Sequence, residues 1–242
     1  MQVTFLGTGS AMPTGERVQA GILLEADGQT LLVDCGSGVL HRLAQVADYE
    51  ATEHVLLTHH HLDHCSDLMA LLKARWLAGA ESLSVAGPPG TEALVTGLLD
   101  VHDYLQGRVD LSVRDVTEGE FSFAGFDVTA MQTRHSMTCF AYRFGDDFCF
   151  SGDSEAFSDL VAFAEGCDVL AHDCSFPDEV DVSNHPTPGQ LGDVLAGADL
   201  GTVYLTHLYP HTDSKHDAML ASIGERYDGR VEFADDGHSV SL

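Results

Sequence analysis

Six consecutive residues, His59-His60-His61-Leu62-Asp63-His64, carry an H-x-H-x-D-H pattern that places four strong metal ligands, His59, His61, Asp63 and His64, within one short stretch of backbone. Imidazole nitrogens and a carboxylate at this spacing are the donor set of a catalytic metal site, and they point to metal-dependent hydrolysis. The blander readings are a solvated polar loop or a purification tag. The internal position argues against a tag. The preceding Val55-Leu56-Leu57-Thr58 is apolar and β-branched enough for a short buried strand, and Leu68 to Leu77 reads as a helix, so the ligands are expected on a strand-to-helix loop. Rigid elements on both sides would hold the donors facing one point.

Further ligands lie downstream in repeated settings. His135 follows the strand-like Val128-Thr129-Ala130-Met131, Asp153 follows Phe148-Cys149-Phe150 within Ser151-Gly152-Asp153-Ser154, and His207 ends Val203-Tyr204-Leu205-Thr206. A single histidine at a strand end is more often a satisfied core residue than a ligand. Three ligand types that share a strand C-terminus, beside the first cluster, make a joint site. His60 lies between two ligands and is expected to point away. His41, His54, His102, His211, His216 and His238 are scattered and receive no chemistry.

The elements that must position these residues are legible as a mixed pattern. Strands are expected over 2–6, 20–26 and 30–35, the last two joined by a tight turn at Asp27-Gly28-Gln29, followed by a helix from Val39 to Val46. A second strand-loop-helix unit runs through Ser82-Leu83-Ser84-Val85, Gly87-Pro88-Pro89-Gly90 and a helix from Thr91 to Tyr104. The second half opens with strands over 110–116, 120–123, 126–131, 139–144 and 147–151. It then alternates helices over 155–165, 188–197 and 215–226 with strands over 167–171, 202–206 and 230–234. Two β-rich halves with added helices imply an α+β fold in which two sheets pack face to face under outer helices. No linker or low-complexity segment interrupts the pattern, so residues 1–242 read as a single domain.

Composition sets the surroundings. No apolar run approaches the roughly 18 residues needed to span a bilayer, and Met1-Gln2-Val3-Thr4-Phe5-Leu6 enters a strand pattern without a basic leader, so a cytoplasmic protein with no membrane partner is expected. The formal charge is -27, from 38 acidic and 11 basic residues, with Lys73 and Lys215 the two lysines. Spread along the chain, this bias predicts a heavily hydrated acidic surface suited to a salt-rich, halophilic cytoplasm. It weakens binding to polyanions at low salt, yet at molar salt the Debye length falls to about 3 Å and the repulsion is largely screened. Six cysteines without C-x-x-C spacing do not form a disulfide framework. Cys35, Cys139 and Cys149 read as small core residues, while Cys65 and Cys174 stand beside candidate site residues. A homodimer is the default assembly for a soluble chain.

Taken together, Phe5-Leu6-Gly7-Thr8-Gly9-Ser10, Leu32-Val33-Asp34-Cys35-Gly36, the H-x-H-x-D-H loop, His135, Asp153 and His207 resemble, in order and along nearly the whole chain, the metallo-β-lactamase-fold hydrolases. The resemblance implies a four-layer αββα sandwich with a dinuclear metal site along one edge of the β layers. It implies that His59, His61 and His135 hold a first metal, that Asp63, His64 and His207 hold a second, and that Asp153 bridges them. Two Zn2+ suit this donor set, with Mn2+ or Fe as alternatives. Within the family the chain is most similar to ribonuclease Z and its smaller phosphodiesterase relatives, through His135-Ser136 with Ala141-Tyr142-Arg143, an aspartate at the bridging position, and the His172-Asp173-Cys174-Ser175 and His185-Pro186-Thr187 loops. By that likeness His185 is a catalytic histidine outside the metal set and Asp173 its orienting partner.

Two departures bear on substrate. Ribonuclease Z carries D-C-G-E-G-T-Q where this chain has Asp34-Cys35-Gly36-Ser37-Gly38-Val39-Leu40, and its long tRNA-binding arm has no room between Ser136 and Gly152. No basic stretch replaces the arm as a phosphate-tracking surface. The expectation is therefore a phosphodiesterase acting on a small or cyclic phosphodiester. Metals about 3.5–4 Å apart would lower the pKa of a bridging water and clamp a phosphate oxygen. Asp63 would also hydrogen-bond that water, and His185 would stabilise phosphate charge or protonate the leaving oxygen. The alternatives are a ribonuclease Z-type tRNA 3'-processing endonuclease, which would make nucleic acid a partner, and a thioester or lactone hydrolase on the same metals. A vestigial interaction module is disfavoured by the completeness of the ligand set.

Overall fold

The Asp27-Gly28 turn sets the first hairpin, because both residues adopt positive φ, 50° and 77°, as a two-residue loop with the strands' own twist requires. The computed structural model describes residues 1–242. In it β1 (Gln2–Gly7) pairs antiparallel with β2 (Gly21–Ala26), which returns as β3 (Gln29–Val33). The chain then changes from hairpins to parallel crossovers. Helix α1 (Val39–Val46) leads to β4 (His54–Leu56), α2 (Leu62–Cys65) and α3 (Leu68–Ala78) lead to β5 (Ser82–Gly87), and α4 (Thr91–Val101) leads to β6 (Asp110–Asp115). β3, β4, β5 and β6 are mutually parallel, as strands joined through helices must be when they share a sheet.

The second half repeats this plan. β7 (Gly119–Phe123), β8 (Phe126–Gln132), β9 (Phe140–Phe144) and β10 (Phe148–Phe150) form an antiparallel meander. Helices α5 (Ser158–Ala164), α6 (Pro188–Leu195) and α7 (His216–Gly224) then connect the parallel β11 (Val169–Asp173), β12 (Thr202–Thr206) and β13 (Arg230–Phe233). The last strand, β14 (Ser239–Ser241), crosses back to pair with β1. The result is two seven-stranded sheets, ordered β14-β1-β2-β3-β4-β5-β6 and β13-β12-β11-β10-β9-β8-β7.

Between the sheets lies an aromatic-rich core that includes Phe5, Phe140, Tyr142, Phe144, Phe148, Phe150 and Tyr204. Separate apolar clusters lie outside each sheet, one with Leu43, Leu68 and Val95 beneath α1, α3 and α4, the other with Val161, Leu191 and Ile223 beneath α5, α6 and α7. The alternation of strand side chains between these cores is what makes a four-layer αββα sandwich.

Three expectations change in detail. The metal motif is not wholly a loop, because Leu62–Cys65 closes one helical turn that carries Asp63 and His64. The helix expected to reach Tyr104 ends at Val101 and is followed by a separate 3-10 turn, Asp103–Leu105. The β14 segment is too short, and too mixed in polarity, to stand out as a strand without its partner β1.

Candidate metal centre

The candidate ligands gather because they follow strand C-termini at one edge of the sandwich. His59 and His61 come just after β4, Asp153 just after β10, His207 at the end of β12, and His135 beyond β8. Local backbone constraints fix the approach. A Cβ on Gly36 would sit 2.0 Å from the Asp63 carbonyl oxygen, so the Asp-Cys-Gly turn needs glycine to let the α2 turn pack against it. Gly152, with φ 56°, is hemmed in by Cys139, Phe140 and Thr58, and this close packing aims Asp153 inward. His207 itself holds a left-handed φ of 57°, a conformation that costs a non-glycine residue about 1 kcal/mol or more and is retained where the surroundings impose it.

Two sets of donor atoms result. His59 Nε2 and His61 Nδ1 are 3.0 Å apart, and His135 Nε2 is 3.2 Å from His61 Nδ1, with Asp153 Oδ2 3.6 Å from His59 Nε2. On the other side, His207 Nε2 is 3.1 Å from Asp63 Oδ2 and 3.4 Å from Asp153 Oδ2, while His64 Nε2 is 3.2 Å from Asp153 Oδ1. Four ligands at about 2.0–2.1 Å around a tetrahedral metal stand roughly 3.3 Å from one another, so these separations are compatible with donors gathered around one ion. Three imidazole nitrogens crowded edge to edge cannot all be satisfied by sharing protons. His64 Nε2 and Asp153 Oδ1 are buried and lack a hydrogen-bond partner, as facing donors to one ion would be. His59, His61, His135 and Asp153 could hold one metal, and Asp63, His64 and His207 another.

The cluster is strongly polarised. Burial alone would raise Asp153, but His207, His64 and His59 outweigh it and hold its carboxyl well below the usual range. Burial likewise opposes the lowering of Asp63, which His207 and His64 bring about. Burial pushes His59 and His135 down, favouring the neutral imidazoles that ligation needs.

His185 lies beside both donor sets, its ring 5.3 Å from that of His135 and 5.2 Å from that of His207. Its Nδ1 is 2.6 Å from Asp173 Oδ2. Burial works against the charged imidazole, yet Asp173 prevails and pushes it up to about 9. Asp173 is fully buried at the end of β11 and also accepts a 2.6 Å bond from Ser175 Oγ, which in turn faces His207 Nδ1 at 2.9 Å. His60 turns away, with Nε2 2.8 Å from Thr91 Oγ1.

These residues open onto a cleft of about 390 Å³ lined by His61, Leu62, Asp63, His135, Asp153 and His185, with Ala11, Ser136, Asn184 and Tyr209 completing the wall. Leu62 is 78% exposed and forms an apolar lip. No spacing rule singles out Tyr209. Its ring stacks on Phe176 at 4.5 Å, and burial together with Asp63 and Asp153 pushes its phenol up to about 12, so it remains a hydrogen-bond donor. Cys139, expected to be a plain core residue, has Sγ 3.6 Å from His59 Nδ1 and so touches a candidate ligand. Cys65 and Cys174 are buried without offering a thiolate, since burial raises both.

An αββα sandwich with His and Asp donors converging at the strand ends defines a metal-dependent hydrolase of the metallo-β-lactamase fold, of ribonuclease Z-like type. Solved structures agree with the fold: YhfI of Bacillus subtilis superposes with a TM-score of 0.84 at 25% identity over 99% of both chains, and the short form of human tRNase Z with 0.76 at 22% over 100% of this chain and 99% of that one. The sequence is 31% identical to ribonuclease Z of Mycobacterium avium across 100% of this chain and 98% of that protein. A family model described as anti-Pycsar protein Apyc1 matches residues 1–222, and the chain belongs to that family. The Mycobacterium alignment runs over 275 positions against a chain of 242 residues, so the relative holds segments that this chain lacks. No helix is long and apolar enough to cross a membrane.

Proposed function

We propose that this chain is a phosphodiesterase that hydrolyses a small or cyclic phosphodiester at a centre of two divalent metals, with Zn2+ favoured. The observation that carries this reading is His185, braced by Asp173 at 2.6 Å and set against both donor clusters at the wall of the cleft. A cationic imidazole so placed serves the two demands of phosphoryl chemistry, charge on the phosphate oxygens and a proton for the leaving oxygen. The bound metals would supply an activated water at neutral pH and a clamp on a phosphate oxygen.

The protein's own groups account for the rest. With Nδ1 committed to Asp173, His185 has Nε2 left to deliver the proton. Asp63, at the cleft wall, is placed to take a proton from the attacking water. Tyr209, kept protonated, can donate to a phosphate oxygen, and the Leu62 lip borders the apolar part of the substrate. The cleft suits a small diester, and the stretch from Ser136 to Gly152 is taken up by β9 and β10 and their short turn rather than by an RNA-binding arm.

A second reading, tRNA 3'-end processing, is favoured by the identity to a ribonuclease Z along the whole chain. A metal-loaded assay at molar salt against linear and cyclic phosphodiesters, a precursor tRNA and an acylated thiol separates the readings. Turnover of small diesters that Asp63→Ala abolishes is the expected result. Precursor tRNA cleavage without small-diester turnover would favour the second reading. Thioester turnover alone, or full activity in Asp63→Ala, overturns the proposal.

A further inference from the structure

Beneath the metal loop, one carboxylate reaches ligands of both donor sets. Asp34 is fully buried and follows β3 with a left-handed φ of 61°, a conformation that aspartate tolerates better than most side chains. Its Oδ1 accepts the Thr58 backbone N–H at 2.7 Å. Its Oδ2 lies 2.7 Å from His64 Nδ1 and accepts the Thr58 hydroxyl at 2.8 Å. That hydroxyl is in turn 3.0 Å from His59 Nδ1. Thr58, His59 and His64 are all fully buried, so no water competes for these bonds.

The direction of the protons follows from the donor inventory. A carboxylate accepts only, so the Thr58 O–H must point at Asp34 and the Thr58 oxygen is left to accept from His59 Nδ1–H, while His64 also donates its Nδ1–H to Asp34. Each imidazole, when neutral, then carries its one proton on Nδ1 and keeps Nε2 as the lone pair, and Nε2 is the atom each turns toward the donor clusters. A hydrogen bond to the outer nitrogen fixes a metal-bound histidine's tautomer and raises its basicity.

We infer that Asp34 is a positioning residue shared by both metals, acting directly on His64 and through the Thr58 hydroxyl on His59. This rests on the two-metal reading proposed above, with His59 and His64 in different donor sets. The Asp34→Asn substitution makes the case sharp, because it reverses the chain of donors. With its amide oxygen kept on the Thr58 N–H, the substituted side chain would present an N–H to Thr58 Oγ1 and to His64 Nδ1. Thr58 would then donate to His59 Nδ1, and both rings would carry their proton on the metal-facing Nε2.

The test is zinc content of the full-length protein, dialysed at high salt against graded chelator, for wild type, Asp34→Asn, Thr58→Val and Thr58→Ser, with thermal unfolding recorded for each. Loss of such an outer partner typically weakens a metal by about 10–100-fold. Asp34→Asn is expected to weaken both zinc ions by at least about tenfold, Thr58→Val one of them, and Thr58→Ser neither. Ring-nitrogen NMR of the zinc-loaded wild type should show two Nδ1–H rings that vanish in Asp34→Asn. Folded Asp34→Asn that loses one ion or none overturns the inference, as does Thr58→Val that binds both as the wild type does. Should Asp34→Asn fail to fold, the Thr58→Val and Thr58→Ser pair decides for His59 and the ring-nitrogen NMR of the zinc-loaded wild type decides for His64, where a His64 ring without an Nδ1–H overturns the inference. Failure of the underlying assignment reads differently: the wild type would hold fewer than two ions, or His59→Ala and His64→Ala would release the same one.

Discussion

Arg75 is expected to be the most stability-sensitive charged residue outside the site. It sits in the middle of α3 with no exposed surface, yet its carboxylate neighbour, Glu53, is 3.8 Å away and half exposed. Its partners are backbone carbonyls: Nη1 donates to Tyr49, Glu50 and Thr52 at 2.9, 2.7 and 2.9 Å, and Nε and Nη2 fork onto Ser82 at 3.1 and 2.7 Å. Arg75 therefore clips the segment before β4 to the start of β5. Arg75→Met keeps most of the apolar stem and removes every donor. Leaving a buried carbonyl unpaired costs about 1–3 kcal/mol. Thr52 bears this in full, whereas the carbonyls of Tyr49, Glu50 and Ser82 lie nearer to solvent and recover part of it, so the total is about 4 kcal/mol. At about 2.1 cal/mol/K per residue, a chain of 242 residues unfolds with an entropy of about 0.5 kcal/mol/K, so the Tm should fall by about 8 °C. Calorimetry at fixed salt and metal measures this directly. Activity per folded molecule is retained, because the clip lies at the opposite end of β4 from the metal loop. A shift under about 2 °C would refute the reasoning, since it would mean that the carbonyls find other donors without cost.

Three further outcomes are expected. Asp173→Asn removes the carboxylate that lifts His185 to about 9; because the acid form is lost as pH rises through that pKa, the alkaline limb of the pH–rate profile should move to lower pH by about one unit or more, with kcat down about 100-fold. Stripping the metals with chelator should lower the Tm by about 10 °C under conditions where each metal stands at about 100 times its Kd, since each then contributes about 2.7 kcal/mol, and zinc should restore it. The six thiols, all buried, should resist a disulfide reagent in the native protein at pH 8 and react fully in denaturant; with Cys65 near 11, about one molecule in a thousand carries its thiolate at that pH.

Much of the fold was legible because its elements announce themselves locally. The Asp27-Gly28 turn, the Val39–Val46 helix and the alternating helices and strands after Asp153 each follow from a short-range rule, and the face-to-face sheets follow from their sum. What escaped depends on distant partners. β14 is three residues that become a strand when β1 lies alongside. Arg75 looks like one solvated charge among others in a helix, although it falls on the same stripe as Leu68, Leu71 and Leu72, three, four and seven residues apart. A charge on an apolar stripe is a signal that a carbonyl cradle must exist, but not where.

The same distinction runs through the site. The candidate ligands could be named because a metal demands a few residue types and strand ends supply them, so spacing and type were enough to nominate His59 through His207. The residues around them satisfy a weaker demand, a hydrogen bond of the right polarity, which many side chains can meet. Thr58 is one of many threonines until its hydroxyl is seen between Asp34 and His59, and Ser175 acquires meaning between Asp173 and His207. The two arrangements are chemically alike: on each side a hydroxyl relays one carboxylate to a histidine of the metal set, while the carboxylate's other contact is a second histidine. The carboxylates differ in what that second histidine does, a candidate ligand for Asp34 and the proposed acid for Asp173. Substitution of the two should therefore separate cleanly, with Asp34→Asn read first in metal content and Asp173→Asn first in the pH profile. If Asp173→Asn instead released metal as readily as Asp34→Asn, the contact through Ser175 to His207 would be the dominant one, and His185 would lose its claim to a separate role.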